Sequence, residues 1–457
     1  MALASYEPAH SVTALSKSPL FHRQYSSVSA AIAHLARDER DLRRVRRLFQ
    51  EQWLQYFPAR PVNHWQTDVV NIFRPYAPCL RDRQYRHKAN NVIRGNKPLS
   101  LGYPLSLVNR ADFASGWSLP LELQRVKSNE DEIAVGAQQM RVLCESESFR
   151  DALNINAADS SYGVAKYITK VNDISNLVNV MRLRHGNKIC PAQAQATLGA
   201  PRIYGKQYYL IESTREKKYA RKEKSYVVKQ TSLYDKEADE ETVSYRRTKR
   251  GKELRLELKR WRGLKMRTKQ GHSMKEVEFD VMALRVLAQE TGQRVFRHDV
   301  FAAIVGEERG SLSLAECAEV FYHRFDLEVR NRLMKQKLFL GGYQTPDVQH
   351  PDNWNLLVPE ALWLLWAASG EVGCGCEKWQ QYSAPKAERG GRKTAAATRK
   401  GLGELMMSFV REPFLAKKCK KGKGRQKGAK QAKRKQYQVV KKWGREVEIS
   451  PRVSQQE

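Results

Sequence analysis

The order of strand-like and helix-like segments between residues 62 and 183 restricts the fold more than any other feature of this sequence. Three runs with the alternation of β-strands come first, at Val62–Phe73, Leu99–Val108 and Trp117–Val126. The pattern continues with a helix at Glu130–Cys144, a strand at Leu153–Ala158, a short helix at Tyr162–Val171 and a strand at Leu177–Leu183. Three consecutive strands favour an antiparallel meander, to which strands separated by helices can be added in parallel.

This order resembles that of the ribonuclease-H-like fold. We therefore predict an α/β protein whose core is a mixed five-stranded sheet flanked by helices. In that fold the first and fourth strands lie side by side at the centre of the sheet. Acids on Val62–Phe73 and Leu153–Ala158 would then be neighbours in space although they are far apart in sequence.

Composition divides the rest of the chain. A helical pattern resumes at Val277 and continues to about Leu340. The segment Ala416–Gln436 is basic and of low complexity, so we expect it to be disordered without a polyanion. The predicted regions are a helical N-terminal region at 1–60 that could bind DNA, a first part of the catalytic core at 61–199, a β-rich insertion at 200–275, a second part of the core at 276–345, a helical region at 346–383 and a basic low-complexity tail at 384–457.

The chain is strongly basic. Of its 457 residues, 81 are Lys or Arg and 49 are Asp or Glu, which leaves a formal net charge of +32. Such a charge is unfavourable through self-repulsion unless a polyanion is near, so nucleic acid is the simplest partner. An anionic membrane surface is the alternative, but no basic amphipathic helix with a broad apolar face is evident. A ribosome-associated or chromatin-like protein would fit the charge without any catalytic site.

Targeting and cysteine usage suggest a reducing compartment. No signal peptide is visible, and the most apolar stretch, Trp354–Ser369, is shorter than the roughly 20 residues of a membrane span and predicts a buried helix. The seven cysteines are scattered and odd in number, so we expect a cytoplasmic protein associated with the nucleoid. Cys374 and Cys376 lack a second pair at zinc spacing, which favours two reduced thiols over a metal site.

Residues 28–57 are predicted to form a helix that carries a cluster of arginines. Arg43, Arg44, Arg46 and Arg47 precede a set of apolar positions. These arginines could contact phosphate or could form a solvated basic face. The sequence leaves both interpretations open.

Three carboxylates stand where metal-binding acids would be expected. Asp68 lies in the first strand, Asp159 ends the fourth, and Glu328 lies on a later helix. Acids converging from separate elements can hold two Mg²⁺ ions, and such a pair promotes phosphodiester chemistry. The helix also carries Arg324 and Lys335 near the same stripe as Glu328, where cations could hold phosphates. An ordinary ion pair between Arg324 and Glu328 is the alternative.

The helix spacing resembles a known signature. Phe-x2-Arg-x3-Glu-x6-Lys over residues 321–335 is similar to the Tyr-x2-Arg-x3-Glu-x6-Lys signature of DDE transposases of the insertion-sequence-4 type. The segments around Asp68 and Asp159, and the stretch LRHGNKI, resemble the corresponding segments of that family across residues 60–345. The resemblance implies that Asp68, Asp159 and Glu328 form a catalytic triad that binds two Mg²⁺ ions, for which Mn²⁺ may substitute. The DNA contacts that it implies are Arg324, Lys335, Arg184 and Asn187.

The signature is not reproduced completely. Its aromatic position is Phe321, and Tyr322 follows, so the hydrogen bond of a tyrosine hydroxyl is either lost or supplied about 100° around the helix. Glu319 and Asp326 are close to Glu328 in sequence but point to other faces of the helix. Glu328 is therefore the preferred third acid.

Relatives of this type carry a β-rich insertion between the second Asp and the Glu. In it, an aromatic residue stacks on a flipped base while a hairpin forms at the DNA end. Trp261, in LKRWRGLKMR, is the candidate here, since such stacking contributes about 1–3 kcal/mol. A tryptophan of the core or of a strand face is the alternative.

The resemblance implies a transposase. Such an enzyme cuts double-stranded DNA at the terminal inverted repeats of its own element and joins those ends to target DNA. Because two ends must be handled together, we expect a homodimer in a synaptic complex and no membrane association. The rivals are another ribonuclease-H-like nuclease without strand transfer, and a domesticated DNA-binding protein that retains the fold but does not cleave.

Overall fold

The chain folds as a mixed α/β protein with two compact units. A computed structural model describes residues 1–21, 25–87, 99–192, 205–221, 224–248, 251–268, 274, 277–373, 392–410, 428 and 434–440. Unit 1 comprises Met1–Pro58, Val69–Glu132 and Asp326–Glu457, and unit 2 comprises Ala59–Asp68 and Ile133–Phe325. Strand β1 (Val62–Phe73) and helix α7 (Leu314–Gln336) each have residues in both units.

The centre of unit 2 follows the predicted strand order. Residues 62–67 of β1 pair in parallel with β5 (Leu153–Ala158), and β5 pairs in parallel with β6 (Leu177–Arg182). The connections contain helices α5 (Glu132–Cys144) and α6 (Ala165–Val171), as parallel pairing requires. The predicted placement of the first strand beside the fourth is confirmed.

The sheet of unit 2 is larger than the predicted five strands. Beyond β6 come β14 (Val300–Val305), β13 (Phe279–Ala288) and β12 (Glu253–Met266), and all three join antiparallel. The described part of unit 2 thus holds nine strands in this sheet. The remaining members are β11 (Glu240–Arg247), β7 (Lys188–Pro191) and β8 (Tyr208–Tyr209).

The helical pattern expected from Val277 onward is wrong for its first thirty or so residues. Strands β13 and β14 occupy them, and α7 begins only at Leu314, after a short 3₁₀ turn at Glu307–Ser311. Both strands are buried on both faces, so they read as continuous apolar runs rather than as an alternation. Such runs have no period that separates a buried strand from a buried helix.

The strands expected within 200–275 are present. Those of β8, β11 and β12 belong to the large sheet, because β12 pairs with β13 and β8 with β7. Among the described strands of this segment, only β9 (Arg215–Arg221) and β10 (Lys224–Gln230) form a separate two-stranded sheet. A 3₁₀ turn at Leu233–Asp235 follows this ribbon.

Unit 1 combines an antiparallel meander with helices. β3 (Leu99–Asp112) pairs antiparallel with β2 (Gln84–His87) and with β4 (Trp117–Arg125), and residue 74 at the end of β1 bonds to Leu101. Helix α8 (Gln349–Ala368) packs on β4, and its apolar residues are buried as predicted. The other helices are α1 (Ala2–Ser5), α2 (Val12–Leu15), α3 (Tyr25–Ala33), α4 (Glu39–Tyr56) and α9 (Ala395–Ser408).

Helix α9 lies in the region 384–457, which was predicted to be a basic low-complexity tail, and it is a packed helix. Its Leu402 is buried, Arg399 donates to the carbonyl of Tyr6, and a Cβ at Gly401 would lie 2.3 Å from the carbonyl oxygen of Gly373. Glycine is thus required for this close approach. Most of the basic segment Ala416–Gln436 lies outside the described residues, as do Cys374 and Cys376.

Candidate active site

Asp68 and Asp159 occupy equivalent positions on neighbouring parallel strands. Thr67 of β1 is the pairing partner of Ala158 of β5, and each aspartate is the next residue along its strand direction. Neighbouring strands lie about 4.8 Å apart, so the two backbones bring these residues close together where the pairing of β1 with β5 ends. Both residues are half-buried. The spatial neighbourhood predicted for these two acids is therefore observed.

The strand alternation assigns Asp68 to the sheet face that meets helix α7. Gln66, two residues earlier and on the same face, is fully buried, and its Nε2 donates a hydrogen bond of 2.6 Å to the carbonyl oxygen of His323. This bond fixes α7 against β1 within unit 2. The sequence did not single out Gln66, because it is one of several polar residues in this strand.

The opposite face of the same strands carries a buried polar network. Thr67 Oγ1 donates to Asn156 Oδ1 at 2.9 Å, and Asn156 Nδ2 donates to Asn179 Oδ1 at 2.9 Å. The hydroxyl of Tyr167, from α6, lies 3.3 Å from Asn156 Nδ2. Because these groups are buried and bond across three adjacent strands, they favour one register of β1, β5 and β6. Asparagines within the apolar runs LNINAA and LVNVMR were the signal for this network.

The loop after Asp159 is held in place from two sides. The amide of Tyr162 donates to the carbonyl of Asp159 at 2.9 Å. A Cβ at Gly163 would lie 2.1 Å from the carbonyl oxygen of Arg182, so only glycine permits this approach. Asn187 Nδ2 donates to the carbonyl of Gly163 at 3.0 Å. Asn187, predicted as a DNA contact, thus anchors the loop that carries Asp159.

The acids on α7 differ in their engagement. Glu319 accepts a hydrogen bond of 2.9 Å from the His323 ring and forms an ion pair with Arg246 of β11. The bond to His323, followed by the charge of Arg246, lowers the pKa of Glu319. These contacts occupy the carboxylate of Glu319 within unit 2, which supports the preference for Glu328 as the third acid. Glu328 itself is exposed and belongs to unit 1.

The aromatic residues of the helix signature divide between core and margin. Phe321 is buried, whereas Tyr322 is partly exposed, with the Arg246 guanidinium 4.5 Å from its ring centroid. Burial raises the pKa of Tyr322 to about 12. Its hydroxyl makes no hydrogen bond to any described residue. The bond lost with Phe321 is therefore not replaced by Tyr322 inside the protein.

The predicted DNA contacts do not share one environment. Arg184 and Lys335 are exposed, in unit 2 and unit 1 respectively. Arg324 is only 5% exposed, with its guanidinium 4.6 Å from the Phe325 ring centroid, so it presents little surface to a phosphate.

Trp261 is a core residue, which corrects its proposed role in base stacking. Its side chain is 0% exposed, its Nε1 donates to the carbonyl of Lys236 at 2.9 Å, and Tyr234 packs edge-on at 5.5 Å. A base cannot stack on a ring with no accessible face. Strict alternation along β12 would place the Trp261 side chain on the more exposed face of the strand. The pairing of β12 with β13 shifts register between Trp261 and Leu264. Next to this shift, the successive side chains of Arg260 and Trp261 are both buried.

The two carboxylates of Asp68 and Asp159 suit a hard divalent cation. Mg²⁺ prefers oxygen ligands and is commonly held by one or two carboxylates with water completing the shell, which Asp68 and Asp159 can supply. In the portion of the chain that the structure describes, no group of three or more His, Cys, Asp or Glu is arranged to hold a metal ion. Among the described residues, the observed arrangement therefore provides the two carboxylates without a third protein ligand grouped with them.

Sequence comparison with known proteins gives one family. The family described as DDE superfamily endonuclease matches residues 2–247, more than half of the chain. The matched range includes Asp68 and Asp159 and ends before Glu328. No curated protein matches the chain. Within the described residues, no helix is long and apolar enough to cross a bilayer.

Proposed function

Because the chain belongs to the DDE superfamily endonucleases, we propose that it is a transposase that cleaves DNA at the ends of a mobile element and joins those ends to target DNA. The observation that carries the proposal is the placement of Asp68 and Asp159 at equivalent positions, directly after the last paired residues of two central parallel strands. Such a pair of carboxylates can hold a cation at the scissile phosphate. The helix signature over residues 321–335 favours the insertion-sequence-4 type.

In this proposal Asp68, Asp159 and Glu328 are the metal ligands. The strand pairing supports the first two, and the resemblance alone supports Glu328. Two Mg²⁺ ions, when bound, would neutralise charge on the phosphate and activate the attacking oxygen, and Mn²⁺ would substitute.

The residues around the two aspartates act by positioning. Asn187 holds the loop that follows Asp159, and Gln66 holds α7 against the strand of Asp68. Fixing carboxylates before the substrate arrives lowers the reorganisation needed during reaction.

The proposed substrate is double-stranded DNA carrying terminal inverted repeats. The net charge of +32 supports a polyanionic partner, and exposed Arg184 and Lys335 are proposed phosphate contacts. Arg324 would contribute only after its side chain leaves the Phe325 ring. Because two ends must be cut and joined together, we propose a homodimer in the synaptic complex.

A plasmid assay tests the proposal. Supercoiled DNA carrying the inverted repeats that border the gene is incubated with protein and Mg²⁺. Joined products support the transposase, cleavage without joining indicates a nuclease, and binding alone indicates a non-cleaving DNA-binding protein. Asp68→Asn, Asp159→Asn and Glu328→Gln should each abolish cleavage, whereas Asp151→Asn, at an exposed position, should not. Full cleavage by all three variants would refute the site assignment.

A further inference from the structure

Helix α4 presents a stripe of four arginines on its outer surface. Arg40, Arg43, Arg44 and Arg47 are exposed and are spaced by three, four and seven residues from Arg40. At 100° per residue they lie within an arc of about 100°, and at 1.5 Å per residue they extend over about 10 Å of the helix axis. We call these four residues the arginine stripe.

The opposite face of α4 is fixed to unit 1. Trp53 stacks on Trp363 of α8 with ring centroids 5.4 Å apart, and its Nε1 donates to Glu360 at 2.7 Å. On the flank of the helix next to Arg43, Gln50 Nε2 donates to the carbonyl of Leu121 on β4 at 2.7 Å. The helix cannot rotate without breaking these contacts, so the arginine stripe is held facing outward.

The acidic residues near the stripe are already engaged. Asp38 caps the helix by accepting from the amide of Asp41, and Asp41 accepts from the amide of Arg37. Glu39 bonds to Lys127 at 2.7 Å, and Glu51 bonds to Arg47 at 2.9 Å. Among the described residues, no ion pair reaches the other three members of the stripe, which are Arg40, Arg43 and Arg44.

The stripe is unfavourable for the isolated helix. Like charges three or four residues apart, such as Arg40 with Arg43 and Arg44, destabilise a helix by about 0.2–0.5 kcal/mol per pair. Arg40 also lies in the first turn, where the helix dipole disfavours a cation. The attraction between Glu39 and Arg43, four residues apart, offsets part of this cost. A polyanion along the stripe would add an attraction at each of the four arginines.

We propose that the arginine stripe binds the phosphate backbone of double-stranded DNA. Guanidinium groups bind phosphate oxygens through paired N–H donors, and the stripe contains no lysine. DNA offers phosphates every 3.4 Å per strand along its axis, so a stripe of about 10 Å spans several of them. The contact is independent of base sequence and positions the duplex. The inference rests on the proposed function and assigns a DNA contact outside the candidate active site.

Salt-dependent DNA binding tests the stripe. The full-length triple variant Arg40→Gln/Arg43→Gln/Arg44→Gln is compared with wild type by fluorescence anisotropy on a duplex of arbitrary sequence across a KCl series. The slope of log affinity against log salt concentration should become shallower by about 2–3, since each lost phosphate contact reduces the magnitude of this slope by about 0.9. Affinity near 0.1 M salt should fall about tenfold or more, and equally for repeat-containing and random duplexes. The melting temperature of the variant should be unchanged or higher.

A charge-matched control separates a contact from a general loss of charge. Arg150→Gln/Lys170→Gln/Arg297→Gln removes three exposed cations of unit 2 and should leave the salt slope near that of wild type. Equal slopes for the stripe variant and wild type would overturn the inference, and retained plasmid cleavage by that variant would leave the proposed function standing. Wild-type protein that binds vesicles rich in phosphatidylserine but no duplex would overturn both.

Discussion

The hydroxyl of Thr67 donates a hydrogen bond of 2.9 Å to the side-chain oxygen of Asn156 on the neighbouring parallel strand. Thr67 directly precedes Asp68, and Asn156 lies three residues before Asp159. A slip of one residue between these strands would break this bond and separate the aspartates from their equivalent positions. The buried bond therefore ties the register of the core to the geometry of the candidate site.

Replacing Asn156 by leucine should destabilise unit 2. The change removes the bond from the Thr67 hydroxyl and the bond to Asn179 from the buried network, at about 1–3 kcal/mol for each group left unsatisfied. Urea unfolding should show a loss of about 3 kcal/mol or more. Thr67→Val, which removes only one donor, should cost about 1 kcal/mol. Wild-type stability of Asn156→Leu would show that the network does not determine the register.

Asp159→Asn should separate activity from stability. Without a cation, the neighbouring carboxylates of Asp68 and Asp159 repel each other, so removing one charge should slightly raise the melting temperature of the metal-free protein. Cleavage should be lost, and the increase in melting temperature on adding Mg²⁺ should disappear. Thermal unfolding with and without Mg²⁺ measures both effects. An unchanged Mg²⁺ response in this variant would exclude Asp159 as a ligand.

Changing Gln66 to glutamate should make stability and cleavage depend on pH. A carboxylate at this buried position would face the carbonyl oxygen of His323 and repel it, whereas the protonated acid can donate as the amide does. Burial raises the pKa of the new carboxyl in the folded state. The stability that its protonated form contributes to the protein is therefore present at low pH and is lost as the pH rises through that pKa. Unfolding at pH 5 and pH 8 measures the effect. Gln66→Met should lose about 1 kcal/mol at both pH values, and equal behaviour of the two variants would contradict the role of this bond.

The stability of unit 1 should decline as Glu360 ionises. Burial raises the pKa of Glu360 to about 7 from an ordinary value of 4.5, against the opposing hydrogen bond from Trp53. Between pH 4.5 and pH 7 the folded state retains a proton on Glu360 that the unfolded chain loses. The stability contributed by protonated Glu360 is therefore fully present below about pH 4.5 and is lost as the pH rises through about 7.

Glu360→Gln should therefore stabilise the protein by about 2 kcal/mol at pH 8 and differ little from wild type at pH 4.5. The glutamine oxygen can still accept from Trp53 Nε1, so packing is retained. Thermal unfolding of both proteins across this pH range tests the prediction. A constant difference between them would mean that Glu360 does not titrate in this window.

Trp261→Phe should lower stability without a specific effect on DNA ends. The variant loses the bond to Lys236 and leaves a cavity, for about 2–3 kcal/mol in all. Tyr245→Ala, at an exposed site of the same unit, should cost much less. Affinity for a duplex with an unpaired terminal base, measured where both variants are folded, should match wild type. A selective loss of that affinity in Trp261→Phe would restore the stacking role.

Local patterning was sufficient for the central elements of unit 2. The bounds of β1 and β5 were predicted to the residue, because both read as β-like runs ended by polar or turn-forming residues. The placement of these strands side by side followed from the resemblance of the element order to the ribonuclease-H-like fold. The neighbouring positions of Asp68 and Asp159 were thus accessible from the sequence.

Sequence alone determined the order of the central elements, the basic character and the two aspartates of the first and fourth strands, because each of these depends on local pattern and connectivity. Tertiary structure decided that residues 279–305 are strands, that Trp261 is buried and that α9 packs as a helix. In these cases neighbouring elements cover both faces of a segment, which removes the periodic signal that a half-buried segment carries. The engagement of Glu319, Gln66 and Asn187 was likewise settled by partners distant in sequence.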